Sequence, residues 1–189
     1  MIIESEGIKI REFYLPPFVL KSGEIIVIYL YSGGHCPPLR RELANIFTGR
    51  VSHNNVKIIQ PQTFVERYTE SKFKQLFNPL SVEKYIAKNA GKNNNIAEKL
   101  KDEAGVDKKK KVRLLSNKEQ KLLALYTTLS NTKNIIFDLD GLGAPWAWEI
   151  YEIVKDNVKN GGSALLLDWA DEMKNDCTKF IKVEIDETA

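Results

Sequence analysis

The fold is decided by a strand, a glycine turn and a helix that follow one another near the start of the chain: Glu24-Ile25-Ile26-Val27-Ile28-Tyr29-Leu30, then Ser32-Gly33-Gly34, then Leu39 to Phe47. The first run is apolar and β-branched without alternation, which indicates a strand buried on both faces of a parallel sheet. Apolar residues recur at helical spacing from Leu39 to Phe47, and Gly49 is expected to end that helix. The stretch therefore predicts a buried strand, a tight turn and a crossover helix.

The same alternation continues along the chain. Further buried strands are predicted at Asn134 to Asp138 and at Ser163 to Leu167, and Ile8 to Phe13 alternates as a half-buried strand does. Helices are predicted after Ser116 and from Pro145, with Trp146 on the buried face of the second. We expect one α/β domain over residues 1–189: a mainly parallel sheet flanked by helices, an N-terminal antiparallel β portion, and a small helical lobe at about residues 81–111.

Composition restricts the function. The chain has 28 basic and 25 acidic residues and a net charge of +3, which argues against a nucleic-acid binder. Two distant cysteines give no disulfide framework and favour the cytoplasm, and the longest apolar run is too short to span a bilayer. We expect no direct membrane insertion, although the protein could lie at a membrane through a partner. The lysine run at residues 108–111 is read as a solvated segment, with an anionic partner as the alternative.

Six short motifs occur in the order found in the nucleotide-binding domains of ABC transporters, which the chain resembles over nearly its whole length. The first three are Leu20-Lys21-Ser22-Gly23-Glu24-Ile25-Ile26, which resembles the approach to a phosphate loop, Pro61-Gln62, which resembles the Q-loop, and Leu80-Ser81-Val82-Glu83, which resembles the start of the helical lobe. The others are Leu115-Ser116-Asn117-Lys118-Glu119-Gln120, similar to the signature, Asn131 to Asp138, similar to Walker B, and Leu165 to Ala170, similar to the switch segment. The resemblance implies a fold of the P-loop NTPase type.

The residues on which the chemistry of that family depends are mostly replaced. The phosphate-loop lysine falls at Cys36, and the hydroxyl positions fall at Pro37 and Pro38, which also lack amide donors. Leu139 stands at the catalytic glutamate and Ala170 at the switch histidine, while Asn117 and Lys118 replace the signature glycines. The resemblance leaves a vestigial nucleotide site consisting of Gly33, Gly34, Gln62 and Asp138.

The sequence therefore predicts a bacterial, cytoplasmic pseudo-ATPase that acts as a protein-binding or regulatory subunit, with no catalytic residue, no metal and no cofactor. The expected partner is a transporter subunit or a second ATPase-like domain, which includes a dimer. Ser116 and Trp148 are the predicted partner surface. The alternative is a divergent ATP-binding subunit that still binds or slowly hydrolyses ATP with Mg²⁺.

Four other hypotheses use residues near these motifs. Arg40 or Arg41 could reach a phosphate from the first turn of the helix, although an exposed helix face is the simpler interpretation. Asp140 could act as a displaced base. The remaining two are a cysteine nucleophile, Cys36 beside His35, and a zinc site made of His35, Cys36, His53 and Cys177.

Overall fold

A five-stranded parallel sheet forms the centre of the first of two compact units, which comprises residues 1–64, 133–140 and 151–189. The computed structural model describes residues 1–68, 79–92, 94–169 and 171–185. The sheet has the order β10-β5-β9-β8-β7, and every neighbouring pair is parallel. Its strands are β5 (Ile25–Tyr29), β7 (Thr63–Phe64), β8 (Asn134–Phe137), β9 (Ser163–Asp168) and β10 (Lys179–Lys182). The predicted mainly parallel sheet with buried central strands is thereby confirmed.

Helix α1 (Cys36–Phe47) follows β5 and packs with its apolar side in the core. Gly49, which has a φ of 76°, comes just after the helix and its Thr48 cap, as the sequence predicts. The crossover therefore places the turn after β5 and the start of α1 at the carboxyl end of the sheet, where ligands of parallel α/β sheets bind.

Short antiparallel sheets complete the β portion of the first unit. One has the order β4-β1-β6, from β1 (Ile3–Ser5), β4 (Phe18–Leu20) and β6 (Val56–Ile58), and the other has the order β11-β3-β2, from β2 (Ile8–Ile10), β3 (Phe13–Leu15) and β11 (Glu184–Ile185). The single strand predicted from Ile8 to Phe13 is wrong: the chain reverses at Arg11, whose φ is 53°, and Ile10 pairs with Phe13. The hairpin preserves the apolar alternation, which is why the sequence pattern did not show the turn.

The second unit comprises residues 65–132 and 141–150. Within the part of this unit that the structure describes, the helices are α2 (Val82–Asn89), α3 (Ile96–Ala104), a 3₁₀ turn (Val112–Leu114), α4 (Asn117–Leu129) and the first part of α5 (Ala144–Lys159). The two helices α2 and α3 lie within the lobe predicted at about 81–111, and the unit extends to both sides of it.

One prediction for α5 is wrong. The sequence predicts Trp146 on the buried face, but it is 46% exposed, and the buried residues of α5 are Ala147, Ile150, Tyr151, Val154 and Val158. The buried face of α5 thus begins at Ala147, one residue after Trp146, because the small alanine takes the buried position.

Candidate functional site

The carboxyl ends of the adjacent strands β5, β9 and β8 bring Leu30, Asp168 and Asp138 to one edge of the sheet. Leu30 donates its N–H to the carbonyl of Asp168 at 2.8 Å. The Asp168 carboxylate accepts the N–H groups of Leu139 at 2.5 Å and of Trp169 at 2.7 Å. The segments that begin at residues 31, 139 and 168 thus converge at this edge, in agreement with the register of the strands. Ala170, the predicted switch-histidine position, lies outside the described residues.

The first turn of α1 offers little to an anion. Cys36 donates its N–H to the carbonyl of Gly33 at 3.1 Å, and Pro37 and Pro38 have no N–H to donate. The first three residues of the helix therefore present no unused amide donor, although helix N-termini bind phosphate through such donors. Gly33, with a φ of 140°, and exposed Gly34 form the turn that the sequence predicts.

Arg40 is the residue whose position the sequence did not reveal. It is only 7% exposed, and its Nη1 lies 3.3 Å from Asp138 Oδ1 and 3.5 Å from Asp140 Oδ2. Its Nη2 lies 3.8 Å from the sulfur of Cys36, one turn earlier on α1. The interpretation of Arg40 as an exposed helix residue is therefore wrong, whereas Arg41 is exposed. The available signal was the i, i+4 spacing from Cys36, which places both side chains on one face of the helix.

The electrostatics of this edge follow from burial and from the guanidinium. Burial lowers the pKa of Arg40 and the Asp138 carboxylate raises it, with a net rise, so the side chain stays charged. Burial also raises the pKa of Asp168, against its two backbone hydrogen bonds, which lower it. Asp138 additionally accepts the Asp140 N–H at 3.1 Å. A fixed cation supplied by the chain thus faces the carboxylate that resembles the Walker B aspartate.

The geometry does not support a Cys36 nucleophile. Burial raises the pKa of its thiol above the ordinary value, so the reactive thiolate is disfavoured. The ring of His35 stacks on Phe13 with centroids 5.0 Å apart, and its Nε2 hydrogen-bonds the carbonyl of Leu30 at 3.2 Å. His35 is therefore engaged away from the thiol.

No metal-binding cluster accompanies these residues. Within the described ranges, no three His, Cys, Asp or Glu side chains are arranged to hold a metal ion. The zinc site hypothesised from His35, Cys36, His53 and Cys177 is therefore not assembled.

Gln62 is not part of the edge that Asp138 defines. It precedes β7, whose Thr63 lies in register with Ile135 near the start of β8. The side chain is 3% exposed and donates to the hydroxyl of Ser163, the first residue of β9, at 3.2 Å. Gln62 therefore lies at the amino end of the sheet, and the predicted group of Gly33, Gly34, Gln62 and Asp138 is not brought together. The sequence shows no strand pattern after Gln62, where the structure has the two-residue strand β7.

Within the second unit, Ser116 has a structural role. It caps α4, its hydroxyl accepting the Glu119 N–H at 3.3 Å while Glu119 accepts the Ser116 N–H at 2.6 Å. Burial raises the pKa of Glu119, but the hydrogen bonds from Lys110 and Ser116 lower it more. The Ser-x-x-Glu spacing of the two residues is the sequence pattern of a capping box.

Exposed aromatic side chains occur at the start of α5 in the same unit. Trp148 is 36% exposed and Trp146 is 46% exposed. Lys118 lies over the ring of Trp146, with Nζ 3.8 Å from the centroid, and forms an ion pair with Glu149 at 2.9 Å. The predicted exposure of Trp148 agrees with the structure, while its role in partner binding stays a prediction.

Solved structures give the class of this fold. A metal-chelate type ABC transporter in an inward-facing conformation is similar over 98% of this chain and 81% of its own, with a TM-score of 0.74 and 15% identity. An ATP-binding subunit of an ABC transporter is similar over 97% of this chain and 86% of its own, with a TM-score of 0.70 and 14% identity. A dimeric bacterial ABC transporter cassette is similar over the whole length of both chains (100% of each), with a TM-score of 0.61 and 17% identity. The chain therefore has the fold of an ATP-binding cassette.

Two comparisons with known sequences gave no match. No protein-family model matches this chain, and no curated protein does. None of the helices in the described ranges combines the length and the hydropathy needed to cross a membrane.

Proposed function

We propose that this chain is a non-hydrolysing protein with the fold of an ATP-binding cassette, which acts by binding protein. It would serve as the pseudo-enzyme half of a heterodimer, or as a regulatory or scaffold subunit of a transporter or another complex. A cytoplasmic location, peripheral to the membrane where the partner is a transporter, fits this proposal. The observation that carries it is the buried Arg40 beside Asp138.

The argument is electrostatic. ATP with Mg²⁺ needs positive charge and amide donors around its phosphates, and a free carboxylate for the metal. Here the lysine position is Cys36, whose buried thiol is neutral, and the following two residues are prolines without donors. The guanidinium of Arg40 already neutralises Asp138, and a divalent cation beside it would be repelled. The residues present therefore do not fit Mg²⁺–nucleotide.

Catalysis lacks support for a second reason. The residue after Asp138 is Leu139, which is buried and whose side chain cannot accept a proton from water. Asp140, the displaced base considered from the sequence, lies 3.5 Å from the Arg40 guanidinium and is held there in an ion pair. The site thus lacks the lysine, the hydroxyl and the base, which in phosphoryl transfer act together on the charge that develops in the transition state.

Steady-state phosphate release tests the enzymatic part. We expect no release above the protein-free background with ATP and Mg²⁺, and the same result for Asp140→Asn. Turnover that depends on Mg²⁺ and is lost in Asp140→Asn would contradict the proposal. It would favour the divergent ATP-binding subunit instead.

Site-specific crosslinking tests the protein-binding part. A photoreactive phenylalanine analogue at Trp148 is expected to crosslink to one discrete protein in cells. The matched control is the same analogue at Trp169, which is an exposed tryptophan of the first unit. Equal crosslinking at both positions, or none at Trp148, would remove Trp148 from the partner surface.

A further inference from the structure

A basic surface of the second unit stands out from the other charged residues of the chain. Five of the six residues 108–113 are basic, and this run lies beside the start of α2. Lys84, Lys108, Lys109 and Arg113 are exposed and Lys111 is half-buried. We call these five residues the basic ridge.

The ridge has a fixed backbone. Val82 and Glu83 donate their N–H groups to the carbonyls of Lys110 at 3.0 Å and Lys108 at 2.9 Å, and Val112 donates to Leu80 at 2.9 Å. Lys110, which is not part of the ridge, forms an ion pair with Glu119 at 2.9 Å and joins the run to α4. The ridge charges are therefore held on a structured segment, which reduces the ordering cost of binding.

The ridge charges are not used inside the molecule. None of the five has an ion-pair partner among the residues that the structure describes, whereas Lys110, Lys118 and Arg40 do. Residues 80–84 and 107–114 contain two acids, Glu83 and Asp107. The carboxylate of Asp107 accepts the Lys109 N–H at 2.6 Å in a local turn. Positive charge exceeds negative charge along the whole ridge.

We propose that the basic ridge binds an acidic segment of the partner protein. The inference rests on the proposed function, and it specifies the chemistry of the partner. Leu114, 60% exposed, lies at the end of the same 3₁₀ turn as Arg113. A segment that carries acidic residues and one apolar residue complements this surface, whereas a single leucine is too small an anchor for a membrane. The nearly balanced charge of the whole chain disfavours nucleic acid.

Fluorescence anisotropy with the full chain tests this inference. The probes are a labelled glutamate-rich peptide that contains one leucine, its glutamine counterpart, a short DNA duplex, and vesicles with phosphatidylserine. We expect binding to the glutamate peptide alone, and binding that weakens as salt rises from about 50 to about 200 mM. Equal binding of the glutamine peptide, or tighter binding of DNA or vesicles, would overturn the proposal.

The variant Lys108→Gln, Lys109→Gln, Lys111→Gln removes three ridge charges without altering the backbone. Each exposed charge pair changes an equilibrium by about twofold, so the peptide affinity should fall by about tenfold. The matched control neutralises Lys21, Lys57 and Lys179, which are exposed lysines of the first unit, and should change the affinity by less than about twofold. Equal losses in the two variants would show a general charge effect and overturn the proposal.

Failure here is distinguishable from failure of the proposed function. If the peptide does not bind and ATP is not hydrolysed, the ridge inference falls while the pseudo-enzyme proposal stands. Melting curves of both triple variants should coincide with that of the parent chain, because none of the substituted side chains is buried.

Discussion

Substitution of Arg40 by Met tests the feature on which the account depends. Methionine preserves most of the apolar stem and removes the guanidinium, so Asp138 loses the cation that faces it. The side chains of Arg40 and Asp138 are 9% and 11% exposed, so solvent screens the pair only weakly. Breaking one partner of a buried ion pair typically costs about 3–5 kcal/mol.

We expect the lower end of that range. Asp138 retains the hydrogen bond from the Asp140 N–H, which partly stabilises the carboxylate that remains. A loss of about 3 kcal/mol in the free energy of unfolding corresponds to a melting temperature lower by roughly 6–12 °C for a chain of this size. Circular dichroism melts and urea unfolding of the same samples measure both quantities.

The control and the double mutant give the experiment its specificity. Arg41→Met, at the exposed neighbouring position on α1, should change stability by no more than about 0.5 kcal/mol. Asp138→Asn in the Arg40→Met background should recover part of the loss, with a coupling energy of about 1–3 kcal/mol. If Arg40→Met loses less than about 1 kcal/mol, or Arg41→Met loses as much, the buried counter-ion argument is refuted.

Three further predictions concern the residues around the site. In the folded protein at mildly alkaline pH, Cys36 should react with a thiol reagent far more slowly than Cys177, since Cys36 is almost fully buried. Both cysteines should react equally in denaturant, and equal rates in the folded state would contradict the prediction. Cys36→Lys with Pro37→Ser should not restore Mg²⁺-dependent phosphate release, because the remaining groups are still absent; turnover in the double mutant would contradict it. Ser116→Ala should lower stability by about 1 kcal/mol through loss of the α4 cap, as measured by urea unfolding, and no change would mean that the capping box contributes nothing.

Much of the sheet could be predicted, because fully buried parallel strands have an unmistakable composition. The strands β5, β8 and β9 appear as continuous apolar runs, and their order places Asp138 at the carboxyl edge. The glycine turn and the lack of amide donors at the two prolines of α1 could also be predicted from the sequence. These features depend on local composition, which the sequence records directly.

The misassigned residues depend on long-range packing. The position of Gln62 at the amino end of β7 could not be predicted, because this two-residue strand is too short to show a pattern. Arg40 seemed a surface residue because charged side chains are rarely buried without a partner, and its partners Asp138 and Asp140 lie about 100 residues away in the sequence. No local pattern records such a pair.

The most direct measurement is a set of melting curves with ATP plus Mg²⁺, with ATP alone and with Mg²⁺ alone. A ligand that binds only the folded state and is present at about 100 times its dissociation constant adds about 2.7 kcal/mol, which raises the melting temperature by roughly 5–10 °C. The account predicts that millimolar ATP with Mg²⁺ leaves the melting temperature unchanged. The Arg40 guanidinium already pairs with Asp138, which would otherwise face a metal ion, and the start of α1 lacks amide donors for the phosphates. A clear upward shift that requires both ATP and Mg²⁺ would contradict it.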